Sequence, residues 1–161
     1  MTKLSLWATA LVCALVVPAT AVASPPSHDP VPSSDFVLSG VCSFDVGVHF
    51  TKQMEKAVTF SDGSFIVTGQ YKATLTNLAS DASVDLNIPG PGKYSVADDG
   101  TGTINLTGPW VIFIFPGQLG PGSAGELLYT TGKGTFIQHP DGSVTFVHEQ
   151  GTTTDLCAAL G

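Results

Sequence analysis

The chain contains no arginine, and its six lysines face thirteen acidic residues, which gives a formal net charge of −7. The lysines stand singly along the sequence and form no basic cluster. Proteins that bind nucleic acids need a cationic face for the phosphates, and arginine is the usual bidentate partner of phosphate and carboxylate groups. The composition therefore predicts no nucleic-acid partner and no binding to anionic membrane surfaces.

Apolar runs long enough to span a membrane are also missing. The longest, Leu4–Val17, would form roughly 21 Å of helix, against a hydrocarbon core of about 30 Å. Lys3 precedes this run, Pro18 ends it, and small residues follow at positions 21 and 23, which a signal peptidase reads. The pattern predicts a secretory signal peptide over residues 1–23, cleavage near Ala23 and no transmembrane anchor.

Two alternatives concern the processing of this segment. Lipid attachment at Cys13 would require leucine three residues earlier and a small residue just before it, but Ala10 and Val12 stand there. Cleavage after Ala21 instead of Ala23 is the other alternative. Removal of residues 1–23 leaves five lysines and thirteen acidic residues, a formal charge of −8. We expect the mature protein to be secreted, either extracellular or associated with the cell surface.

Cysteine is scarce, with three residues in the whole chain. Cys13 falls in the signal peptide, which leaves Cys42 and Cys157 in an oxidising compartment. A lone pair of cysteines there predicts one intramolecular disulfide, although two unpaired buried thiols are the alternative. The two residues lie too far apart in sequence to form a local metal-ligand pair.

Helical periodicity is absent after the signal peptide, where Gln53–Lys56 allow one helical turn at most. Apolar residues instead alternate with a period of two, as in Phe44–Phe50 and Val84–Ile88. Hairpin signals punctuate the strands at Asp62-Gly63, Asp99-Gly100 and Asp141-Gly142. We predict an all-β fold, an antiparallel β-barrel of eight to eleven short strands, with a β-sandwich as the alternative.

The composition divides the chain into three parts. Residues 1–23 are the predicted signal peptide. Residues 24–35 contain four prolines and little to bury, which predicts an extended, flexible leader. Residues 36–160 are predicted to form a single β-domain, long enough to build a core of its own.

The segment Trp110–Phe115 departs from the alternation, because both faces of this strand are apolar. One interpretation is a strand covered on both sides. The other is an outward apolar patch or the wall of a ligand site. An eight-stranded barrel can hold one small ligand inside. The candidate ligand-binding residues on this strand are Trp110, Ile112, Phe113 and Phe115.

No motif points to catalysis, a metal or a cofactor. The segment Gly120–Gly125 fits the GxGxxG pattern, but a strand follows it, where a phosphate site needs a helix. His139 and His148 flank one hairpin and would lie roughly 13 Å apart along the strands, too far to share one ion. No GxSxG nucleophile motif occurs. We therefore predict no catalytic residue, no metal site and no cofactor.

Short motifs spread over residues 36–160 resemble a group of uncharacterised small exported proteins of high-GC Gram-positive bacteria. The resembling segments are Gly40–Phe44, Ala73–Leu78, Pro140–Ser143 and Thr154–Cys157. The resemblance implies export, a single all-β domain and pairing of the two framing cysteines, and it carries over no catalytic residues.

Three functions are consistent with these observations. The first is an exported, non-enzymatic β-domain that acts by binding, with a small hydrophobic ligand or a cell-envelope component as partner. The second is a lipocalin-like carrier of a small hydrophobic ligand. The third is a hydrolase or isomerase with a site at a barrel mouth, around His49, His139 or His148.

Overall fold

A computed structural model describes residues 27–161, and the predicted signal peptide, residues 1–23, lies outside the described residues. Twelve strands and one short helix follow along this part of the chain. They are β1 (Ser27–Pro30), β2 (Phe36–Leu38), β3 (Val46–Thr59), β4 (Phe65–Asn77), β5 (Ser83–Asn87), β6 (Gly92–Val96), β7 (Gly102–Thr107), β8 (Trp110–Ile114), β9 (Glu126–Thr130), β10 (Lys133–Gln138), β11 (Val144–Gln150), β12 (Thr153–Asp155) and α1 (Leu156–Ala159). The strand pairings among them are all antiparallel, so the predicted all-β class is confirmed.

The strands form two sheets. The larger follows the order β1-β3-β4-β6-β7-β10-β11, with β2 also paired to β3 and β5 to β4, and the smaller follows β12-β9-β8. Within residues 27–161, neither sheet pairs its first strand with its last. The prediction of a closed antiparallel β-barrel is therefore corrected to two open sheets. The predicted eight to eleven short strands are corrected to twelve, of which β3 and β4 are long, with 14 and 13 residues.

The path of the chain explains why the larger sheet stays open. The long hairpin β3–β4 has β2 and β5 as neighbours at one end and β1 and β6 at the other. Strands β8 and β9, which could have joined its edges, pair with each other and with β12 instead. Pro109 and Pro116 bracket β8, and proline has no N–H to donate to a ladder.

The three predicted hairpin turns are confirmed. Asp62-Gly63 joins β3 to β4, Asp99-Gly100 joins β6 to β7, and Asp141-Gly142 joins β10 to β11. Each aspartate accepts a hydrogen bond from the backbone N–H two residues later, at 2.9, 2.8 and 2.9 Å. Each glycine has a positive φ, between 80° and 87°, which glycine adopts without steric cost.

A β-bulge in β3 decides which side chains face inward. The register against β4 shifts between Phe50 and Lys52. Before the shift Val48 pairs with Leu75, and after it Glu55 pairs with Gly69, so even and then odd positions of β3 share one face. The possible helical turn at Gln53–Lys56 is therefore wrong. One inserted residue re-aims the side chains without ending the strand.

The smaller sheet is apolar on both faces because a buried cluster lies on each side of it. Within β8, Val111 packs on one cluster, whereas Ile112 and Ile114 belong to the other. Within β9, Leu127 and Leu128 divide in the same way. The loss of alternation in Trp110–Phe115 thus agrees with a strand covered on both sides, which needs apolar residues at successive positions.

The C-terminal segment returns to the start of the domain. Cys42 and Cys157 lie within disulfide-bonding distance, with their Cα atoms 5.5 Å apart. Leu156 and Leu160, on either side of Cys157, are buried in the cluster that includes β3 and β4. The buried Asn77 donates from Nδ2 to the carbonyl of Leu160 at 3.1 Å. The end of the chain is therefore held by packing and hydrogen bonding as well as by the cysteine pair.

The leader contributes a strand that the sequence pattern did not indicate. Residues 27–30 form β1, which pairs with Lys56–Thr59 of β3. The segment is extended, as proline-rich sequences tend to be, and its strand lies at the edge of the sheet, where proline is tolerated.

Among the described residues, none of the helices has the length and apolar character that crossing a membrane requires.

Candidate functional site

A cavity of about 430 Å³ lies between the inward face of β3–β4 and the smaller sheet. Its aliphatic walls come from β2, β3, β4, β8 and β9. Six aromatic side chains also line it: Phe36, Phe50, Tyr71, Tyr94, Trp110 and Phe113. Phe36 and Phe113 are more than two-fifths exposed, which places the opening to solvent beside them.

The aromatic rings form two groups in contact with the cavity. Phe50 stands between Phe36 and Tyr71, with ring centroids 6.1 and 4.8 Å apart. Tyr94 and Trp110 form the second group, with centroids 6.5 Å apart. These separations are typical of favourable aromatic pairs, so the rings support one another in place. Such a surface offers a ligand flat apolar contacts and π-electron faces.

Glu55 is the charged exception in this apolar lining. Within residues 27–161 it is the one acidic residue of the wall, and no lysine or histidine joins it. The side chain is half-buried, and its carboxylate makes no hydrogen bond or ion pair with the described residues. Burial raises the pKa of this carboxyl above its usual value of 4.5, because partial loss of water disfavours the ionised form.

The pKa values of two tyrosines in the cavity wall are raised, mainly by burial and to a smaller degree by the Glu55 charge. Burial, and to a smaller degree the Glu55 carboxylate, raises the pKa of Tyr94 to about 12. Burial also raises the pKa of Tyr71, although a hydrogen bond with the Ser33 side chain opposes the shift and the Glu55 charge adds a little to it. Both hydroxyls therefore stay protonated at neutral pH.

Glycine residues make room for the Trp110 ring. A Cβ atom at Gly90 would lie 2.5 Å from Trp110 Nε1, and one at Gly92 would lie 2.6 Å from the ring atom Cζ2. Side chains at these two positions would displace the indole from the cavity wall. Trp110 Nε1 is also the one buried side-chain donor without a partner among residues 27–161.

Residues 31–35, called the strap here, cross the cavity and are fastened to β3. Val31 donates its N–H to the Glu55 carbonyl at 3.1 Å, and Ser33 donates to Gln53 Oε1 at 3.2 Å. Asp35 accepts the Phe50 N–H at 2.8 Å and contacts His49 Nδ1 at 2.6 Å. The Phe50 hydrogen bond, and then His49, lower the pKa of Asp35. Val31 and Ser33 thereby become part of the lining.

Of the four predicted ligand-binding residues, two line the cavity and two do not. Trp110 and Phe113 line the cavity. Ile112 points to the other face of β8 and is buried in the second cluster. Phe115 lies beyond the end of β8, two-fifths exposed, with its ring edge-on to Phe113 at 6.2 Å. Alternation along β8 explains why Phe113 and Ile112 face opposite sides. Trp110 lies on the Ile112 side and packs against the same cluster, yet at the start of the strand its ring also reaches the cavity.

The histidines considered for catalysis do not converge. His49 contacts Asp35, His139 contacts Thr145 Oγ1 at 3.0 Å, and His148 contacts the Thr131 carbonyl at 3.0 Å. Among residues 27–161, no group of three or more His, Cys, Asp or Glu side chains is arranged to hold a metal ion.

Sequence reasoning missed Glu55, Tyr71 and Tyr94 as cavity residues. The alternation Tyr71, Ala73, Leu75 on β4 could have indicated one inward face. Glu55 could not have been assigned to that face, since its orientation depends on the bulge after Phe50. No protein-family model, curated protein or solved structure matches this chain.

Proposed function

We propose that this protein is an exported, sandwich-like β-domain that binds a small, largely hydrophobic ligand in the cavity between β3, β4 and β8. The observation that carries the proposal is the apolar cavity of about 430 Å³ with its aromatic wall. Small-molecule sites in proteins measure about 300–1,000 Å³ and are mostly apolar with a few polar groups. The volume and the lining of this cavity fit that description.

Two further parts of the proposal rest on separate observations. The two open sheets, with buried clusters on both faces of the smaller one, favour a sandwich-like arrangement over a barrel. The signal-peptide pattern and the paired Cys42 and Cys157 favour export, because disulfides persist in oxidising compartments. The resemblance to small exported bacterial proteins points the same way.

Binding without catalysis is the form of the function that we propose. A hydrolase or isomerase needs at least two polar groups that converge on one reacting atom. His49, His139 and His148 each contact a different partner. A ligand carrier needs an accessible apolar volume, which the cavity supplies.

The test uses N-phenyl-1-naphthylamine, an uncharged fluorophore whose emission rises in apolar surroundings, and protein produced from the full-length gene. Val67 lines the cavity and is buried, so Val67→Phe would occupy part of the volume. Val147 is about half exposed on β11, so Val147→Phe is the matched control. We expect saturable binding by the wild type and the control, and an affinity about tenfold lower or worse in Val67→Phe.

A larger residue in a packed site costs about 1–3 kcal/mol of stability, so thermal unfolding of each variant is measured in parallel. If Val67→Phe fails to fold, Ala73→Val makes a smaller change to the same wall. Absence of saturable binding by the wild type would refute the proposal. Binding that is unchanged in a folded cavity-filling variant would refute it equally.

A further inference from the structure

The cavity carries a charge that a purely hydrophobic ligand would leave uncompensated. The Glu55 carboxylate belongs to the lining and finds no partner among the described residues. An apolar ligand would remove water from the Glu55 carboxylate without supplying a hydrogen bond or a positive charge, which is unfavourable for an ionised side chain. A ligand that matches this wall must therefore bring its own positive charge or donor to Glu55.

Glu55 stands opposite a glycine where β3 and β4 approach closely. It pairs with Gly69 of β4. A Cβ at Gly69 would meet the β3 backbone, 2.7 Å from the Cα of Glu55, and φ at this residue is +148°, so the position strongly favours glycine. Val67 and Tyr71, two residues before and after Gly69, line the cavity together with Glu55. The part of the wall beside Glu55, between Val67 and Tyr71, is called the notch here.

Aromatic rings flank this notch. Tyr71 lies next to it on β4, and Phe65, which precedes Val67 on the same face, pairs with Tyr94 of β6. Tyr71 and Tyr94 line the same cavity as Glu55. Aromatic faces attract cations, and the attraction strengthens where water is partly excluded. A carboxylate with such rings beside it forms a suitable binding site for an organic cation.

We propose that the cavity selects small ligands with a protonated amine on an apolar body, and that Glu55 is the counter-ion of the amine. This inference rests on the proposed function, since it assigns a ligand class to the same cavity. The apolar body contacts the remaining wall, including Phe36, Trp110 and Phe113. The amine occupies the notch beside Gly69 and donates to the Glu55 carboxylate.

Charge complementarity decides between this ligand class and its alternatives. A fatty acid would place a second carboxylate near Glu55, and within residues 27–161 the lining offers no lysine or histidine to hold it. An alcohol could donate one hydrogen bond but would leave the charge in place. The mature chain, with a formal charge of −8, also attracts cations from solution.

The test compares three ligands of equal chain length, decylamine, decanol and decanoate, as competitors of N-phenyl-1-naphthylamine below their micelle concentrations. For the wild type at neutral pH we expect decylamine to compete about tenfold or more better than decanol, and decanoate to be the weakest. In Glu55→Gln, which keeps the shape of the side chain, decylamine and decanol should compete equally. The uncharged fluorophore should bind this variant at least as tightly as the wild type, because the carboxylate that it cannot compensate is gone.

Glu149→Gln is the matched control, because it removes the same charge from an exposed position on β11. It should keep the preference for the amine. Equal competition by all three ligands against a wild type that binds the fluorophore would overturn the amine inference and leave the proposed function standing. An amine preference that survives in Glu55→Gln, or that disappears in Glu149→Gln, would overturn it too. Failure of the wild type to bind the fluorophore would overturn both proposals.

Discussion

Removal of the Cys42–Cys157 pair should lower the stability of the domain without abolishing its fold. The two cysteines are separated by 115 positions, so their bridge closes most of the domain into one loop. In the chain-entropy model a loop of this length destabilises the unfolded chain by about 5 kcal/mol at 25 °C. Typical domains have a total stability of about 5–15 kcal/mol, so the bridge would supply a third or more of it.

Contacts at the chain end explain why the fold should survive. Leu156 and Leu160 are each 1% exposed, and Asn77 holds the Leu160 carbonyl at 3.1 Å. These contacts do not depend on the bridge and keep the C-terminal segment docked when the thiols are free. The cost of opening the bridge therefore falls mainly on the unfolded state, which gains conformational freedom.

The assay is equilibrium urea unfolding followed by circular dichroism, with and without reductant, for the wild type and a Cys42→Ala/Cys157→Ala variant. With a slope of about 1–3 kcal/mol per molar urea, we expect the midpoint to fall by about 2–5 M in either case. Reductant should have no further effect on the double variant. The reasoning would be refuted by two free thiols in the unreduced protein, or by a double variant within about 1 kcal/mol of the wild type.

Three further predictions concern the notch. Burial raises the pKa of Glu55 above 4.5, so its ionisation costs folded-state stability as the pH rises through the raised pKa. In thermal unfolding, Glu55→Gln should therefore be more stable than the wild type at neutral pH and equally stable at pH 3; equal stability at both would contradict this. Amine affinity, measured by calorimetry, should fall as the pH drops through the same pKa. Gly69→Ala should cost about 1–3 kcal/mol in urea unfolding, because its Cβ meets the β3 backbone and φ is positive; an unchanged midpoint would argue against the close approach.

The parts of the fold that depend on local chemistry could be predicted from the sequence. The Asp-Gly turns are local, since the aspartate side chain and the positive φ of glycine define each turn within four residues. The apolar alternation over Val46–Phe50 predicted a strand with one buried face, and this prediction is correct. The pairing of Cys42 with Cys157 followed from the number of cysteines rather than from geometry.

The arrangement of the sheets and the cavity could not be predicted, because both depend on contacts between distant parts of the chain. Whether β8 joins the large sheet or pairs with β9 is decided by packing on two clusters that involve β7, β11 and the C-terminus. The strap reaches the cavity because residues 27–30 pair with β3 and because residues 31–35 form their own hydrogen bonds to that strand. Composition alone described that segment as unlikely to bury anything, and it could not show that a sheet edge would receive it.

The bulge after Phe50 connects the fold to the choice of ligand. If β3 kept its register, even-numbered positions would continue to face the cavity, and these include Lys52 and Lys56. The shift turns odd-numbered positions inward instead, so that Glu55 enters the lining, while Met54 is 62% exposed on the other face. A single inserted residue thus sets the sign of the charge in the cavity. Since two cationic positions would suit an acid and one anionic position suits an amine, the bulge determines which class of ligand this wall can accept.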